Sequence, residues 1–137
     1  MTQLIYRAPE PALDREAMDA ITRDDIDRLV TLPIDLAYTH DNWRFVQDVC
    51  VRLSNHRDWR VRANSLQGLA LTARFRRRLE KNVVKPVLLR ALKDENPDVA
   101  SSAIEEVSVV NRYMKWRIGG AKKQKEIEAR YDKRKRG

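Results

Sequence analysis

Side chains suited to metal binding or nucleophilic catalysis are few in this sequence. Cys50 is the single cysteine among 137 residues, and His40 and His56 are the only histidines. A structural zinc site needs about four ligands at short, regular spacings, which these residues do not provide. Cys50 falls on an apolar helical stripe, where cysteine behaves as a small core residue. The sequence therefore predicts no catalytic residues, no metal site and no cofactor.

A dense group of arginines is the second chemical feature, and it is suited to binding anions. Its members are Arg74, Arg76, Arg77 and Arg78. One interpretation is structural, because cations are favoured near the C-terminus of a helix by its dipole. The other is functional, because guanidinium groups bind phosphate or carboxylate oxygens through paired hydrogen bonds. Since no glycine-rich loop accompanies the arginines, they do not form a P-loop nucleotide site.

Amphipathic helices must position these residues, and two segments of the chain repeat one another. Residues 61–70 and 99–107 show the same pattern thirty-eight residues apart. The aligned pairs are Val61 with Val99, Ser65 with Ala103, Leu66 with Ile104, and Leu69 with Val107. Self-similarity at this period indicates a repeat architecture. Because another amphipathic stretch precedes each copy, we expect two antiparallel helical hairpins between residues 41 and 117.

Capping residues and apolar spacing predict where the helices begin and end. Pro33 is expected to end the second helix and to start a short helical turn through Tyr38. The predicted helices run from Asp14 to about Ile21, from Thr22 or Asp24 to Pro33, from Asp41 to Leu53, from Asp58 past Ala73, from about Asn82 to Lys93, and from Asp98 to about Trp116. Gly119 and Gly120 then interrupt the pattern.

The two copies resemble the HEAT repeat of helical solenoid proteins. The matching residues are Leu88-Leu89, Ala91-Leu92-Lys93-Asp94, Pro97-Asp98-Val99, Ala103-Ile104 and Val107 in one copy, and Val61-Arg62, Ser65-Leu66 and Leu69-Ala70 in the other. The resemblance covers about residues 42–116 and implies an all-α fold, a short α-solenoid of antiparallel hairpins. Together with the glycine break and the charge of the last residues, it leads us to expect an N-terminal helical cap over residues 1–40, two repeats over 41–118 and a basic C-terminal tail over 119–137.

The resemblance also implies one internal contact and a class of function. In such repeats, an arginine that follows the valine pairs with an aspartate in the next inter-helix turn, and Arg62 and Asp94 occupy these positions. His56 and Ala100 stand where a regular ladder would have aspartate and arginine, so a continuous ladder is not expected. Some small bacterial proteins of this type are toxin-immunity proteins, which implies a protein-binding role.

The net charge of +8 is distributed unevenly along the chain. Residues 1–120 carry 20 Lys and Arg against 17 Asp and Glu, whereas residues 121–137 carry 8 against 3. Such a basic tail favours acidic partners. The first eleven residues contain no continuous apolar segment, and a lone cysteine fits a reducing compartment, so we expect a cytoplasmic protein that does not bind a membrane.

Two functional hypotheses follow, and neither involves a small-molecule substrate. The first is a non-catalytic module that binds another protein with an acidic face, through one side of the second helices and the exposed Trp59. Its predicted binding residues are Arg60, Asn64, Gln67, Arg74, Ser102, Glu105, Arg112 and Trp59, with Leu71, Asp98 and Val109 on the same side. The alternative is nucleic-acid binding. Its residues are Arg76, Arg77, Arg78, Lys122, Lys123, Lys125, Arg130, Lys133 and Arg134.

Overall fold

The computed structural model describes residues 8–119, 128–130 and 133, and these residues form helices and no strand. The helices of residues 8–119 are α1 (Asp14–Arg23), α2 (Ile26–Thr39), α3 (Trp43–Leu53), α4 (Trp59–Arg76), α5 (Lys81–Ala91) and α6 (Pro97–Met114). Residues 128–130 and 133 are also helical. The prediction of an all-α fold is confirmed.

Helix α4 is the centre of the packing. It contacts α2 on one side, α6 on the other, and α3 as well, while α5 packs on α6 and α3. The charges of Asp27 and Arg60 attract each other near the starts of α2 and α4. The rings of Tyr38 and Phe75 meet near the ends of the same two helices. Helices α2 and α4 therefore run in the same direction.

Helices α4 and α6 also run in the same direction. Arg62 in the first turn of α4 bonds Asp94 just before α6, and Arg77 at the end of α4 lies over the ring of Tyr113 near the end of α6. The carboxyl ends of α2, α4 and α6 consequently lie along one edge of the molecule, and their amino ends lie along the opposite edge.

The repeat pairs occupy equivalent positions in the core. Val61 and Val99 are both fully buried, as are the pairs formed by Ser65 with Ala103 and Leu69 with Val107. Leu66 is 1% exposed, whereas its counterpart Ile104 is only partly buried. The repeat alignment would place both side chains in the core, so Ile104 departs from the pattern. The two side chains differ in burial because α4 lies between α2 and α6, whereas α6 packs against α4 on one side only.

Helix α2 continues through Pro33 to Thr39, so the predicted end at Pro33 is wrong. Tertiary packing explains the difference, because Pro33 is buried where α2 crosses α4. A methyl group added at Gly68 would lie 3.0 Å from the Pro33 carbonyl oxygen and 2.7 Å from Cys50 Sγ. The absent side chain at Gly68 lets α2, α3 and α4 approach closely, and this contact stabilises the helix that proline alone would weaken.

The predicted N-cap at Asp58 is confirmed, whereas the predicted caps Asp14, Asp24 and Asp41 each lie one residue from the observed cap, and the alternative Thr22 lies three residues from it. Asp58 accepts the backbone N–H of Arg60. The observed N-caps of the remaining helices are Leu13, Asp25, Asn42, Glu80 and Asn96. Where asparagine lies next to aspartate, the asparagine takes the cap, as Asn42 does by accepting the N–H groups of Arg44 and Phe45.

Candidate binding surface

A stripe of solvent-accessible side chains runs along each of α2, α4 and α6, and together the three stripes form what we call the even-helix face. Its residues are Asp27, Thr31, Ile34 and Tyr38 on α2, Arg60, Asn64, Gln67 and Arg74 on α4, and Asp98, Ser102, Glu105, Val109 and Arg112 on α6. Spacings of three and four residues place each set on one side of its helix. All of the predicted partner-binding residues except Trp59 belong to this face.

Two residues of α4 contribute less to this face than predicted. Leu71 is only 9% exposed, so its placement on the outer side is wrong. Helices α2 and α6 flank α4 closely and leave a narrow stripe in solvent. Asn64 is half-buried and donates a 2.6 Å hydrogen bond from Nδ2 to the Val30 carbonyl, which ties α4 to α2. Gln67 and Arg74 remain exposed.

The amino end of α4 presents Trp59 and Arg60. Trp59 is 41% exposed, in agreement with the prediction of an accessible ring. Arg60 donates from Nη2 to Asp58 Oδ2 at 2.9 Å, and this bond is the largest of the effects that lower the pKa of Asp58 to about 2. The positive charge of Arg60 is therefore partly offset by its neighbour.

On α6, Arg112 is exposed, whereas Ser102 and Glu105 are half-buried. The next residue, Glu106, turns inward, and its Oε2 atom is buried without a hydrogen bond. Burial, with a smaller effect from the charge of Glu105, raises the pKa of Glu106 to about 7. Two consecutive glutamates on a helix would ordinarily both face solvent, but the carboxyl group of Glu106 is largely buried.

The carboxyl ends of α4 and α6, with the start of α5, carry a cluster that we call the cationic edge. Its exposed residues are Arg74, Arg76, Arg77, Arg78, Lys81, Arg112, Lys115 and Arg117. Among the described residues, only Arg76 of this cluster has a carboxylate within 4 Å, that of Asp41 at 3.8 Å. The edge therefore brings together Arg74 and Arg112 from the first hypothesis with Arg76, Arg77 and Arg78 from the alternative.

Aromatic rings lie among these cations. Tyr38 and Phe75 are 49% and 45% exposed, and their ring centroids are 5.2 Å apart. The guanidinium of Arg74 is 5.9 Å from the centre of the Phe75 ring, and Arg77 is 5.7 Å from that of Tyr113. No pattern in the sequence marked Tyr38 or Phe75 as binding residues, although Phe75 stands between two arginines. The pairing could not be predicted because it depends on α2 continuing past Pro33.

The loop that carries Arg77 is held in place on both sides. Arg77 has a left-handed backbone, with φ at 52°, and Leu79 is buried. The buried Gln47 of α3 accepts the Glu80 N–H at 2.7 Å and donates to Glu80 Oε1 at 2.9 Å. These contacts fix the residues between α4 and α5, so the arginines project from a defined backbone.

A matching arrangement ends α6. Lys115 also has a left-handed backbone, with φ at 57°. The Asn111 side chain accepts the N–H of Ile118, a fully buried residue, at 3.0 Å. The two turns that follow α4 and α6 therefore present cations in the same way, each at a residue with positive φ.

The opposite edge, at the amino ends of the even-numbered helices, is occupied by internal contacts. Arg62 donates to both oxygens of Asp94 at 2.9 and 3.0 Å, which confirms the predicted pair. His56 Nδ1 accepts the Asp58 N–H, and Nε2 contacts Asp24 at 2.6 Å. The bond to His56, followed by that to Arg57, lowers the pKa of Asp24. His56 therefore occupies the same position in the turn before α4 that Asp94 occupies in the turn before α6.

A shallow groove of about 460 Å³ lies between α2 and α4 and includes Tyr38, whose ring contacts that of Phe75 beside the cationic edge. It is lined by Pro9, Thr31, Ile34, Asp35, Tyr38 and Asn64. Asp35 is largely buried, and Arg28 Nη1 donates to it at 2.6 Å. Tyr38 belongs to both the groove and the aromatic pair, so the two features are continuous.

The tail residues of the alternative hypothesis are only partly described. Arg130 and Lys133 are exposed and helical. Lys122, Lys123, Lys125 and Arg134 lie outside the described residues, as does most of the predicted basic tail.

The remaining features concern the thiol of Cys50, metal binding and membrane insertion. Cys50 is fully buried, as predicted, and burial raises the pKa of its thiol. Within the described ranges, no three His, Cys, Asp or Glu side chains are grouped to hold a metal ion. Nor does any helix in the described part of the chain combine the length and apolar character needed to cross a bilayer.

Comparisons with known protein families, curated proteins and solved structures found no match to this chain.

Proposed function

We propose that this chain is a non-catalytic protein-binding module that acts in the cytoplasm as an inhibitor or immunity protein of a partner toxin or enzyme. In this proposal the even-numbered helices are the inner layer of a short HEAT-like solenoid, with α1 and α2 as its cap. The parallel contacts of α2, α4 and α6 support this arrangement. Helical repeats of this kind use such a layer as an extended binding surface.

The observation that carries the proposal is the composition of the even-helix face. It presents acidic residues such as Asp27 and Asp98, basic residues such as Arg74 and Arg112, and the exposed ring of Tyr38. Protein interfaces combine aromatic and arginine anchors with a polar rim of both charge signs. A uniformly anionic ligand would be repelled by part of this face.

Capture from the source cell tests the proposal. The full chain is immobilised, and bound proteins are identified by mass spectrometry with and without nuclease treatment. We expect one specific protein to be retained after nuclease treatment and to be lost with Arg112→Glu. Arg52→Glu, which makes the same charge change on the outer helix α3, is the matched control and should retain it. Loss of the captured protein on nuclease treatment would contradict the proposal.

Nucleic-acid binding is the second candidate, and the cationic edge with its exposed rings favours it. Arginines contact phosphates, and aromatic rings such as Phe75 stack on bases. This candidate requires that the affinity for a single-stranded oligonucleotide fall steeply with salt, with a log–log slope that reflects several released counterions. A shallow slope, or weak binding of the oligonucleotide at physiological salt, would exclude nucleic-acid binding as the function.

A further inference from the structure

We propose that the cationic edge and the adjoining groove form one site for an acidic protein segment that carries an aromatic or large aliphatic side chain. This inference rests on the proposed protein-binding function and names the chemistry of the partner. Carboxylates of the segment would bind the arginines, and its apolar side chain would lie on Tyr38 and Phe75 or in the groove beside Ile34.

Charge is the first argument for this partner. The dipole of a helix C-terminus favours cations within the last turn, and the effect falls off beyond it. Helix α4 has Arg74 and Arg76 in its last turn, followed at once by Arg77 and Arg78. Within the described residues, Arg74, Arg77 and Arg78 have no carboxylate within 4 Å. Their charges are thus available to an external anion, and paired guanidinium–carboxylate bonds are strong and directional.

Apolar continuity is the second argument. The groove is lined by Pro9 and Ile34 and ends at Tyr38, which contacts Phe75, which in turn lies beneath Arg74. A ligand that carried only negative charge would leave these exposed rings and the groove unused. A segment with an apolar side chain next to its carboxylates would bury both parts of the surface.

Backbone conformation is the third argument. Arg77 and Lys115 occupy left-handed positions, where glycine is favoured and a larger side chain is strained. A residue with positive φ is a common end of an α-helix, and Asp24 after α1 has this conformation too. What distinguishes α4 and α6 is that a cation occupies this position in both, on loops anchored by Gln47 and Asn111. The site is therefore preorganised for its ligand.

The surrounding charges favour a protein over a nucleic acid. Asp41 lies 3.8 Å from Arg76 at one side of the edge. Asp27 and Asp98 lie on the same even-helix face, towards its amino end. A phosphate backbone that extended from the edge across this face would meet these carboxylates, whereas a protein can match both signs.

Selection from a displayed library of random linear peptides tests the inference with the full chain. We expect the retained peptides to be enriched in Asp and Glu together with Trp, Phe or Leu. A selected peptide should bind the Arg77→Gly variant roughly tenfold more weakly, because one charged anchor is lost. This variant should be at least as heat-stable as the wild type, since glycine relieves the left-handed strain, so its loss of binding cannot come from unfolding.

A second variant tests the apolar part of the site, and a charge change on another helix serves as the control. Phe75→Ala should also weaken the peptide, whereas Arg52→Glu should not. Retention of peptides without acidic residues, or full displacement of the peptide by an oligothymidine of equal charge, would overturn the inference. A cellular complex that resists nuclease but is lost with Arg60→Glu and kept by Arg77→Gly would overturn this site alone. A complex that nuclease abolishes would overturn the proposed function itself.

Discussion

At the residue scale, Gly68 is the position where a single methyl group has the clearest effect. The added carbon of Gly68→Ala would lie 2.7 Å from Cys50 Sγ and 3.0 Å from the Pro33 carbonyl oxygen. Overpacking of this kind outweighs the gain in helix propensity, and we expect a net loss of about 1–2 kcal/mol in the free energy of unfolding. Chemical denaturation measures it, with Gln67→Ala, exposed on the same helix, as the control. A variant as stable as the wild type would contradict the close crossing of α2 and α4.

The raised pKa of Glu106 predicts that the protein loses stability as the pH rises towards 8. Its pKa is raised to about 7 in the folded protein from 4.5, so the folded state binds this proton more tightly than the unfolded state. The resulting stability is fully present below pH 4.5 and is lost as the pH rises through 7. At pH 8, Glu106→Gln should therefore be more stable than the wild type, by up to about 3 kcal/mol.

Urea denaturation at pH 5 and pH 8 checks this expectation. The advantage of Glu106→Gln should be much smaller at pH 5, where the wild-type carboxyl is mostly protonated. Asp19→Asn, which removes an exposed carboxylate on α1, should show no such difference between the two pH values. A Glu106→Gln variant that is less stable at pH 8 would show that the carboxylate has a charged partner.

Some contacts could be predicted because the residue pattern that indicates them is visible in the sequence. The cap at Asp58 follows from a local pattern, the pair of Arg62 with Asp94 was implied by the resemblance to HEAT repeats, and both are found. The inward turn of Glu106 and the contact of Tyr38 with Phe75 depend on how helices from distant parts of the chain pack. No local pattern of residue types contains that information.

At the scale of elements, the central position of α4 predicts different sensitivities for the two repeat copies. Leu66 is fully enclosed, so Leu66→Ala should lower the free energy of unfolding by about 2–5 kcal/mol. Ile104 is partly exposed at the equivalent position of α6, so Ile104→Ala should have a smaller effect. Thermal or urea denaturation of both variants gives the comparison. Equal losses would contradict the placement of α6 at the side of the helical layer.

The helices themselves were largely predictable, and their boundaries less so. Apolar spacing identified α3 to α6 because each of these helices buries a stripe of side chains. Pro33 misled the prediction of α2, since its local cost is offset by packing against Gly68. Asn42 and Asn96 compete with neighbouring aspartates for the same cap, and sequence gives little basis for choosing between them.

At the scale of the whole molecule, parallel even-numbered helices separate the charges. Aspartates such as Asp25 and Asp58 cap the amino ends, where several of them bond to neighbouring side chains or backbone. Arginines and lysines collect at the carboxyl ends, mostly without carboxylate partners among the described residues. The sequence predicted the excess of positive charge, but its concentration at one edge results from the common direction of α4 and α6.

Hydrogen–deuterium exchange on the isolated cellular complex tests the central claim most directly, because it locates the partner on the chain. The proposal predicts slower exchange in residues 72–80 and 110–118, at the carboxyl ends of α4 and α6, when the partner is bound. Exchange in α1 and α3 should be unchanged. Protection confined to those outer helices, or to the turns at residues 54–58 and 92–96, would contradict the proposed binding surface.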